Sequence, residues 1–487
     1  ITSPPPPPPH FLISGQAFTP FHISAARVVS QIRPSAYTGS FTSDDQVLTQ
    51  SWYTGAYGVR LNMMPDFFGS ILMDRGDRVS IQGDGHPTMA TALTAFGDAD
   101  TYDLVHMMLN KTDSGFVHGH NVVDQGIMPY PIYWTMSVND WYWASGNTTG
   151  FLELVPDVAS IIDQAVGNFM KAGLNIGWFG WDDRVGNGFC GQCNLEAQLG
   201  FATLTIRAVA DFANSLEHAS QTTLAAKYKS IKANLTKTLR ENKLFGAPFT
   251  NYGLHAGGNL VNADVLTPQE TDIMFSRNFN NSVQICSWSP FNQYWILQAL
   301  GNMMKTEYAK ASIRLCWGNI LKLGKGCFWE LFSPEWNKFM SVGDKAPTRP
   351  SYCHPWASGV THWLTSDMMG VKPLQPGFKE FVVMPRISSE QGSRHLESVV
   401  PTPHGTIRVQ VVTTGTDTVT ANITVVAHVH GVVGLMKSME LGDCDLDVTT
   451  VMLDGGVVDT TTLVDGGDVG STSTTMTTTT TGASSSW

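Results

Sequence analysis

Apolar residues recur at helical spacing through the long middle of the chain. The segment 156–170 starts at a proline, which suits the first turn of a helix, and continues with an apolar stripe. A second stripe follows at 224–239. The stripes consist of Val158, Ile161, Ile162, Ala165 and Phe169 in the first segment and of Leu224, Tyr228, Ile231 and Leu235 in the second. Both segments are predicted to be amphipathic helices that bury one face.

Two further helices carry clear end signals. Ser289 precedes Pro290 at the start of an apolar segment, which predicts a capped helix there. Another helical pattern begins near residue 308 and is predicted to stop at Gly324. Residues from about 45 to 370 are therefore interpreted as mostly helical, with long loops rich in Gly and Trp.

The pattern changes after Pro376. Segments 381–387, 405–414 and 417–429 alternate in polarity and are rich in Val and Thr, which predicts strands. Residues 377–455 are expected to form an antiparallel β-sandwich, and the Thr/Ser-rich residues 456–487 are expected to be a disordered tail. Residues 1–35 are expected to be a Pro-rich linker with one strand at 22–33, the remnant of an N-terminal β domain.

Many helices followed by strands are compatible with an (α/α) toroid over residues 36–376. In that architecture the loops at one end of the helical barrel form a deep pocket. The spacing of the predicted helices and strands alone fits a helical bundle with an appended β domain almost as well.

Composition narrows the classes of function. The formal net charge is −11 and basic patches are absent, so nucleic acid is not an expected partner. No apolar run approaches the roughly 20 residues that span a bilayer, so no membrane span is predicted. The 14 Trp residues suit either a carbohydrate cleft or an aromatic core.

Seven cysteines leave at least one unpaired within the chain. Cys190 and Cys193 lack a second pair of ligands, so a local disulfide or two thiols is favoured and no metal is predicted. Five Asn-x-Ser/Thr sequons give mild support for an extracellular location. They begin at Asn110, Asn147, Asn234, Asn280 and Asn422.

The stretch "DRGDRVSIQGDGH", residues 74–86, concentrates acids and bases. Asp77 and Asp84 are seven residues apart, close to two helical turns, and Arg78 could hold one of them ionised. Two carboxylates in different environments are what glycoside hydrolysis needs. A surface ion-pair cluster is the alternative, and the adhesion tripeptide at 75–77 is disfavoured.

Two overlapping Gly-rich segments between residues 178 and 191 resemble ligand-binding loops. The pattern "GNGFCG" at 186–191 lacks a preceding strand and is rejected as a dinucleotide site. The adjoining "WFGWDDRVGNGF", with Trp181, Asp182 and Asp183, is typical of a ligand-lining loop, although an ion pair with Arg184 would also explain it.

Glu330 lies among aromatic residues in "CFWELFSPEW", which is typical either of an acid with a raised pKa or of chance exposure. His354 follows in "SYCHPWASGVTHWL"; alone, such a His is more often a structural hydrogen-bonding residue. No G-x-S-x-G motif supports a serine hydrolase.

Six segments occur in an order that resembles the α-L-rhamnosidases of glycoside hydrolase family 78. The resemblance covers about residues 36–425 and implies an (α/α)6 barrel, or six-hairpin toroid, followed by a β-sandwich. It also implies an inverting mechanism without a cofactor. The segments are "GDRVSIQGD", "GWDDRVGNGF", "SPFNQYWILQAL", "FWELFSP", "SYCHPWASGVTHWL" and "GVKPLQPGFKEFVVMP".

The resemblance also implies roles for single residues. Asp77, beside Arg78, matches the general acid, and Glu330 matches the general base. Asp84 matches an acid that contacts the sugar hydroxyls, and His354 is expected near the bound sugar. The chain departs from the family pattern in two places: Asp77 stands where many relatives have Glu, and Ile81 where a Trp is usual.

The expected function is removal of terminal α-L-rhamnose from glycosides or polysaccharides, outside the cell. Asp74, Asp182 and Asp183 are further expected substrate contacts. Trp134, Trp181 and Trp329 are expected walls of the sugar pocket. The alternatives are a six-hairpin glycosidase for another sugar and an inactive carbohydrate-binding surface protein.

Overall fold

The structure is a computed structural model of the 487-residue chain. It divides into two compact units, residues 1–31 and 32–487, and only residues 25 and 27 of the first unit are described. The second unit is described over 32–65, 82–110, 128–171, 195–242, 254–280, 286, 289–323, 326–332, 351–387, 395–414, 418–425, 430–433, 436–437, 451–453, 456–458 and 473–479. The predicted strand at 22–33 lies mostly outside these ranges, and the described residues 25, 27, 32 and 33 are not in a strand.

Helices in the described ranges are numbered in chain order. They are α1 (Gln46–Asn62), α2 (Gln82–Phe96), α3 (Ala99–Asn110), α4 (Tyr130–Ser145), α5 (Thr148–Gly167), α6 (Leu195–His218), α7 (Thr222–Glu241), α8 (Leu254–Asn262), α9 (Pro268–Met274), α10 (Pro290–Asn302), α11 (Thr306–Leu323) and α12 (Gly359–Trp363). A 3₁₀ turn, Pro355–Ser358, precedes α12, and a π turn, Leu364–Met368, follows it.

The even-numbered helices form a closed inner ring. Each contacts the next, from α2 through α4, α6, α8 and α10 to α12, and α12 contacts α2 again. Odd-numbered helices pack outside this ring: α1 against α2 and α11, α3 and α5 against α4, and α7 against α6. This closed arrangement confirms the (α/α)6 barrel over the open bundle.

The inner helix α10 is buried on nearly all sides because it packs within the ring and against the outer layer. In α10, eleven residues from Pro290 to Gly301 are buried. The predicted cap of α10 is confirmed, since the Ser289 hydroxyl accepts a hydrogen bond from the amide of Asn292. The outer helix α11 ends at Leu323, the residue before the predicted stop.

The predicted start of α5 is wrong. The helix begins at Thr148, where the Asn147 side chain accepts a hydrogen bond from the amide of Gly150, and Pro156 lies inside the helix. The buried stripe begins earlier than predicted, at Phe151 and Leu154, and continues through the predicted residues up to Ala165. Packing of this longer face outweighs the backbone hydrogen bond that Pro156 cannot donate.

A five-stranded antiparallel sheet follows the barrel, in the order β1-β5-β6-β7-β12. Its strands are β1 (Ser40–Ser43), β5 (His395–Thr402), β6 (Gly405–Thr414), β7 (Thr418–Val425) and β12 (Ser473–Thr479). Strand β1 precedes the barrel in sequence and pairs with β5. Strand β12 lies in the segment predicted to be disordered; its Thr residues favour strands and pair with β7.

Smaller sheets, with antiparallel pairs and two parallel ones, accompany the five-stranded sheet. They contain β2 (Val371–Pro373), β3 (Glu380–Val383), β4 (Arg386–Ile387), β8 (His430–Val433), β9 (Met436–Lys437), β10 (Val451–Leu453) and β11 (Gly456–Val458). Strands β3 and β8 pair in parallel, as do β4 and β9.

A close backbone approach fixes the barrel to the segment that leads into the sheets. Gly146 ends α4 with φ of +69°, and Gly377, in the turn before β3, has φ of +74°. A Cβ atom on Gly146 would lie 2.9 Å from the Cα of Gly377, so both positions require glycine. Within the described ranges, no helix is both long enough and apolar enough to cross a membrane.

Candidate active site

Asp84 and Tyr130 meet at one end of the helical ring. Asp84 lies in the first turn of α2, where unpaired backbone N–H groups favour a negative charge, and it is only 3% exposed. The hydroxyl of Tyr130, at the start of α4, donates a hydrogen bond to Asp84 Oδ1. Burial raises the pKa of Tyr130 well above its usual value, and the negative charges of Asp84 and Glu330 raise it further. Tyr130 therefore stays protonated as a donor to Asp84.

His354 approaches Asp84 from the other side. Its Nε2 lies 3.5 Å from Asp84 Oδ2, and both side chains are buried. The amide of Trp356 points at His354 Nδ1 over 3.3 Å, which makes Nδ1 the acceptor and assigns the proton of a neutral ring to Nε2. The imidazole also stacks on the indole of Trp356, with the ring centroids 4.4 Å apart. These contacts orient the Nε2–H group towards Asp84.

A short ladder of hydrogen bonds between two segments of the chain holds Glu330 in place. Its amide donates to the carbonyl of Ser351 over 2.9 Å, and the amide of Ser351 donates to Glu330 Oε2 over 2.8 Å. One step further, the amide of His354 donates to the carbonyl of Phe328 over 2.9 Å. The Glu330 carboxylate is thus fixed by backbone and is 7% exposed.

A disulfide joins the same two segments. Cys327, three residues before Glu330, pairs with Cys353, the neighbour of His354. The sequence did not indicate this pairing, because connectivity cannot be deduced from cysteine positions alone. A second disulfide, Cys286–Cys316, lies in the helical region. Cys190 and Cys193 lie outside the described residues, so the absence of a metal there stays a prediction.

Asp84, Tyr130, Glu330, Ser351 and His354 form what we call the polar cluster. It collects an acid from α2, a phenol from α4, and an acid and an imidazole from the disulfide-linked segments. Such a cluster supplies two buried carboxylates and an imidazole donor. Carboxylates of this kind can accept hydrogen bonds from sugar hydroxyls or take a proton from water.

The structure places the other sequence-predicted residues as follows. Trp329 is half-buried and meets Tyr352 edge to face, with the ring centroids 5.2 Å apart. Trp134 lies on α4, one turn after Tyr130, and is fully buried. The remaining predicted residues lie outside the described ranges, so their roles stay predictions. They are Asp74, Asp77, Arg78, Trp181, Asp182 and Asp183.

Tyr130 and Ser351 were missed by the sequence interpretation. Tyr130 lies in the apolar segment "MPYPIYW", where a tyrosine is typical of a helix core, and only its contact with Asp84 reveals a role. Ser351 acts through its backbone, which leaves no signal in a side-chain pattern. The one feature of the sequence that points to a role for Ser351 is its position three residues before His354.

For the glycoside hydrolysis that the sequence resemblance implies, Tyr130→Phe is expected to lower kcat/KM by about 5- to 150-fold, because a buried carboxylate loses a donor worth ~1–3 kcal/mol. Steady-state kinetics with an aryl glycoside measures the change. Tyr228→Phe is the matched control, since it removes a tyrosine–aspartate hydrogen bond of 3.1 Å to Asp163 in the outer layer. Equal kcat/KM values for the two variants would contradict a role for Tyr130 in the site.

Comparisons with known proteins agree with the resemblance found in the sequence. Residues 370–441 match the family model described as the bacterial alpha-L-rhamnosidase C-terminal domain. A curated alpha-L-rhamnosidase of Alteromonas sp. (strain LOR) is 30% identical over 94 residues, which is 19% of this chain and 10% of that protein. The predicted resemblance to α-L-rhamnosidases is thereby confirmed.

Solved structures share the fold. The GH78 family rhamnosidase of Bacillus sp. GL1 superposes with a TM-score of 0.62 at 16% identity, over 84% of this chain and 44% of that one. The Streptomyces avermitilis alpha-L-rhamnosidase complexed with L-rhamnose gives 0.64 at 15% identity, over 92% and 42%. The chain therefore spans less than half of each of these structures and a tenth of the curated relative.

Proposed function

We propose that this chain is an inverting glycoside hydrolase that releases terminal α-L-rhamnose from glycosides or polysaccharides. The observation that carries the proposal is the polar cluster, in which Asp84, Glu330 and His354 converge at one end of the ring. The chain shares its fold with proteins named as α-L-rhamnosidases, one of them crystallised with L-rhamnose.

In this proposal Glu330 is the general base. Its carboxylate is fixed through Oε2 by the amide of Ser351, so a water molecule can be held at a constant position relative to the sugar. Taking a proton from that water directs its attack at the anomeric carbon from the face opposite the leaving group. Asp77, outside the described residues, is the proposed general acid that protonates the leaving oxygen.

Asp84 and His354 are the residues proposed to lie beside the sugar hydroxyls. The carboxylate of Asp84 accepts hydrogen bonds from them, and His354 directs its Nε2–H at that carboxylate. Tyr130 and Trp356 hold these two groups in place before the substrate arrives, which reduces the entropy lost on binding. Asp74, Arg78, Asp182 and Asp183, with Trp181 and Trp329, are proposed as the remaining parts of the pocket.

The function is tested with a panel of p-nitrophenyl glycosides and by NMR. Turnover is expected with the α-L-rhamnoside, at a rate above that of other sugars in the panel. Spectra recorded during hydrolysis should show β-L-rhamnose before mutarotation equilibrates the anomers, because an inverting reaction changes the anomeric configuration once. First appearance of the α-anomer would contradict the inverting mechanism, and turnover of a different glycoside alone would contradict the substrate.

An extracellular location is also proposed. Two disulfides in the described residues favour an oxidising compartment. The sequon at Asn234 lies on α7, and the Asn234 side chain is exposed. Protein purified from its native source should lose mass on treatment with an N-glycosidase, and Asn234→Gln should reduce that loss; an unchanged mass would contradict glycosylation.

A further inference from the structure

A cavity of about 370 Å³ lies between the inner helices and residues 371–378 and 400–401. Its walls include Thr94 on α2, Asp140 on α4, Arg207 on α6 and Tyr294 on α10. Asp84 and Thr94 are ten residues apart on α2, as are Tyr130 and Asp140 on α4, which corresponds to about 15 Å along each helix. None of the polar cluster lines the cavity, and the lining comes nearest to the cluster in sequence at His86, two residues after Asp84 on α2.

Aromatic rings fill the space between the two. Tyr130, which contacts Asp84, lies beside Tyr133, whose ring stacks on Trp295 with the centroids 5.0 Å apart. Trp295 then stacks on His86, also at 5.0 Å, and His86 lines the cavity. A molecule in the cavity would therefore not reach Asp84 through these packed rings.

The cavity wall is polar and carries charges of both signs, with Arg207 and Lys372 beside Asp140 and Asp367. His86 Nε2 lies 2.9 Å from Asp140 Oδ2, and Lys372 Nζ lies 2.7 Å from Asp367 Oδ1. The Asp140 side chain is 42% exposed although it belongs to an inner helix, so its accessible surface faces the cavity. A wall with charges of both signs does not select a ligand of one charge, whereas carboxylate oxygens that remain accessible can accept hydrogen bonds from hydroxyl groups.

Apolar side chains complete the wall. Leu93, Trp143 and Phe378 line the cavity together with the charged pairs. A ligand with hydroxyl groups and an apolar ring face matches such a mixed lining. The volume lies at the lower end of the range of about 300–1,000 Å³ for small-molecule sites, which fits one sugar ring.

We propose that this cavity binds one neutral sugar or polyol molecule of monosaccharide size. The molecule donates hydroxyl hydrogen bonds to Asp140 and packs its apolar face on the aromatic wall. This proposal does not depend on the reaction proposed above, because none of the polar cluster lines the cavity.

Isothermal titration calorimetry tests the proposal with D-glucose, L-rhamnose and myo-inositol as separate probes. At least one probe should bind the wild-type chain. Ala144→Phe, which fills the cavity, and Asp140→Asn, which removes a charged acceptor, should each weaken that binding by about tenfold or more. Glu217→Gln is the matched control, and it should leave this binding within about twofold of wild type, since Glu217 pairs with Lys229 at the surface and lines neither the cavity nor the polar cluster.

Three results would overturn the proposal. The first is no binding of any probe up to about 50 mM, which is weaker than any specific site of this size should be. The second is that Asp84→Asn loses binding of the probe while Ala144→Phe retains it, which would place the probe in the polar cluster. The third applies if the variants fail to fold. A wild-type crystal soaked with the tightest-binding probe should then show the probe between Asp140 and Tyr294. Water alone at that position would refute the site.

Discussion

Replacement of Glu330 by Gln is expected to lower turnover of both aryl and natural α-L-rhamnosides by about 10²–10⁴-fold, the usual contribution of a general base. The effect does not depend on the leaving group, because water must be activated in every case. The fold should persist, since the Gln side chain keeps an oxygen that can accept from the amide of Ser351. A melting temperature within about 3 °C of wild type would show this.

Glu217→Gln is the matched control for this substitution. Glu217 lies on α6 and pairs with Lys229 at the surface, with N and O 2.7 Å apart, so its loss should leave turnover unchanged. Azide added to Glu330→Gln should replace the activated water and yield a β-configured glycosyl azide. Turnover by Glu330→Gln within about threefold of wild type, or an α-configured azide, would refute the role of Glu330 as general base.

The fold was predictable where local pattern and burial agree. In α10 the Ser289 cap and the following apolar residues gave the correct start. In α5 the apolar stripe extends before Pro156. The expectation that a proline marks the first turn of a helix therefore failed, because packing of the whole apolar face decides where the helix begins. Short local segments thus specify a helix better than they specify its first residue.

Pairing between distant segments was not predictable. Strand β1 has four residues, and its partner β5 lies on the other side of the whole barrel in sequence, so no local signal joins Phe41 to Ser398. The same holds for the disulfide between Cys327 and Cys353, since seven cysteines permit many pairings. These contacts form only because closure of the helical ring brings the segments together.

The chemistry of the site was only partly visible in the sequence. Asp84, Glu330 and His354 stood out because charged or titratable residues among Gly and aromatic neighbours are unusual. Their supports did not, because Tyr130 resembles a core residue and Ser351 contributes its backbone. A single sequence shows the groups that carry charge, whereas the donors that orient them depend on tertiary contacts.

The substitution Asp77→Asn tests the other half of the proposed mechanism. Asp77 lies outside the described residues, and its role follows from the "RGDR" motif and from the proposed function. An asparagine cannot deliver a proton to the glycosidic oxygen. Natural rhamnosides, whose leaving groups are poor and need that proton, should lose about 10²–10⁴-fold in kcat/KM.

Aryl rhamnosides give the decisive contrast for Asp77. A leaving group such as 2,4-dinitrophenolate departs without protonation, so Asp77→Asn should retain turnover of that substrate to within about tenfold, unlike Glu330→Gln. Kinetics over a series of aryl rhamnosides should therefore show a steep dependence on leaving-group pKa in Asp77→Asn and a shallow one in wild type. Asp98→Asn is the matched control, because Asp98 caps α3 through a side-chain oxygen that asparagine keeps. Equal losses on good and poor leaving groups would assign Asp77 to substrate binding and leave the general acid to be found elsewhere.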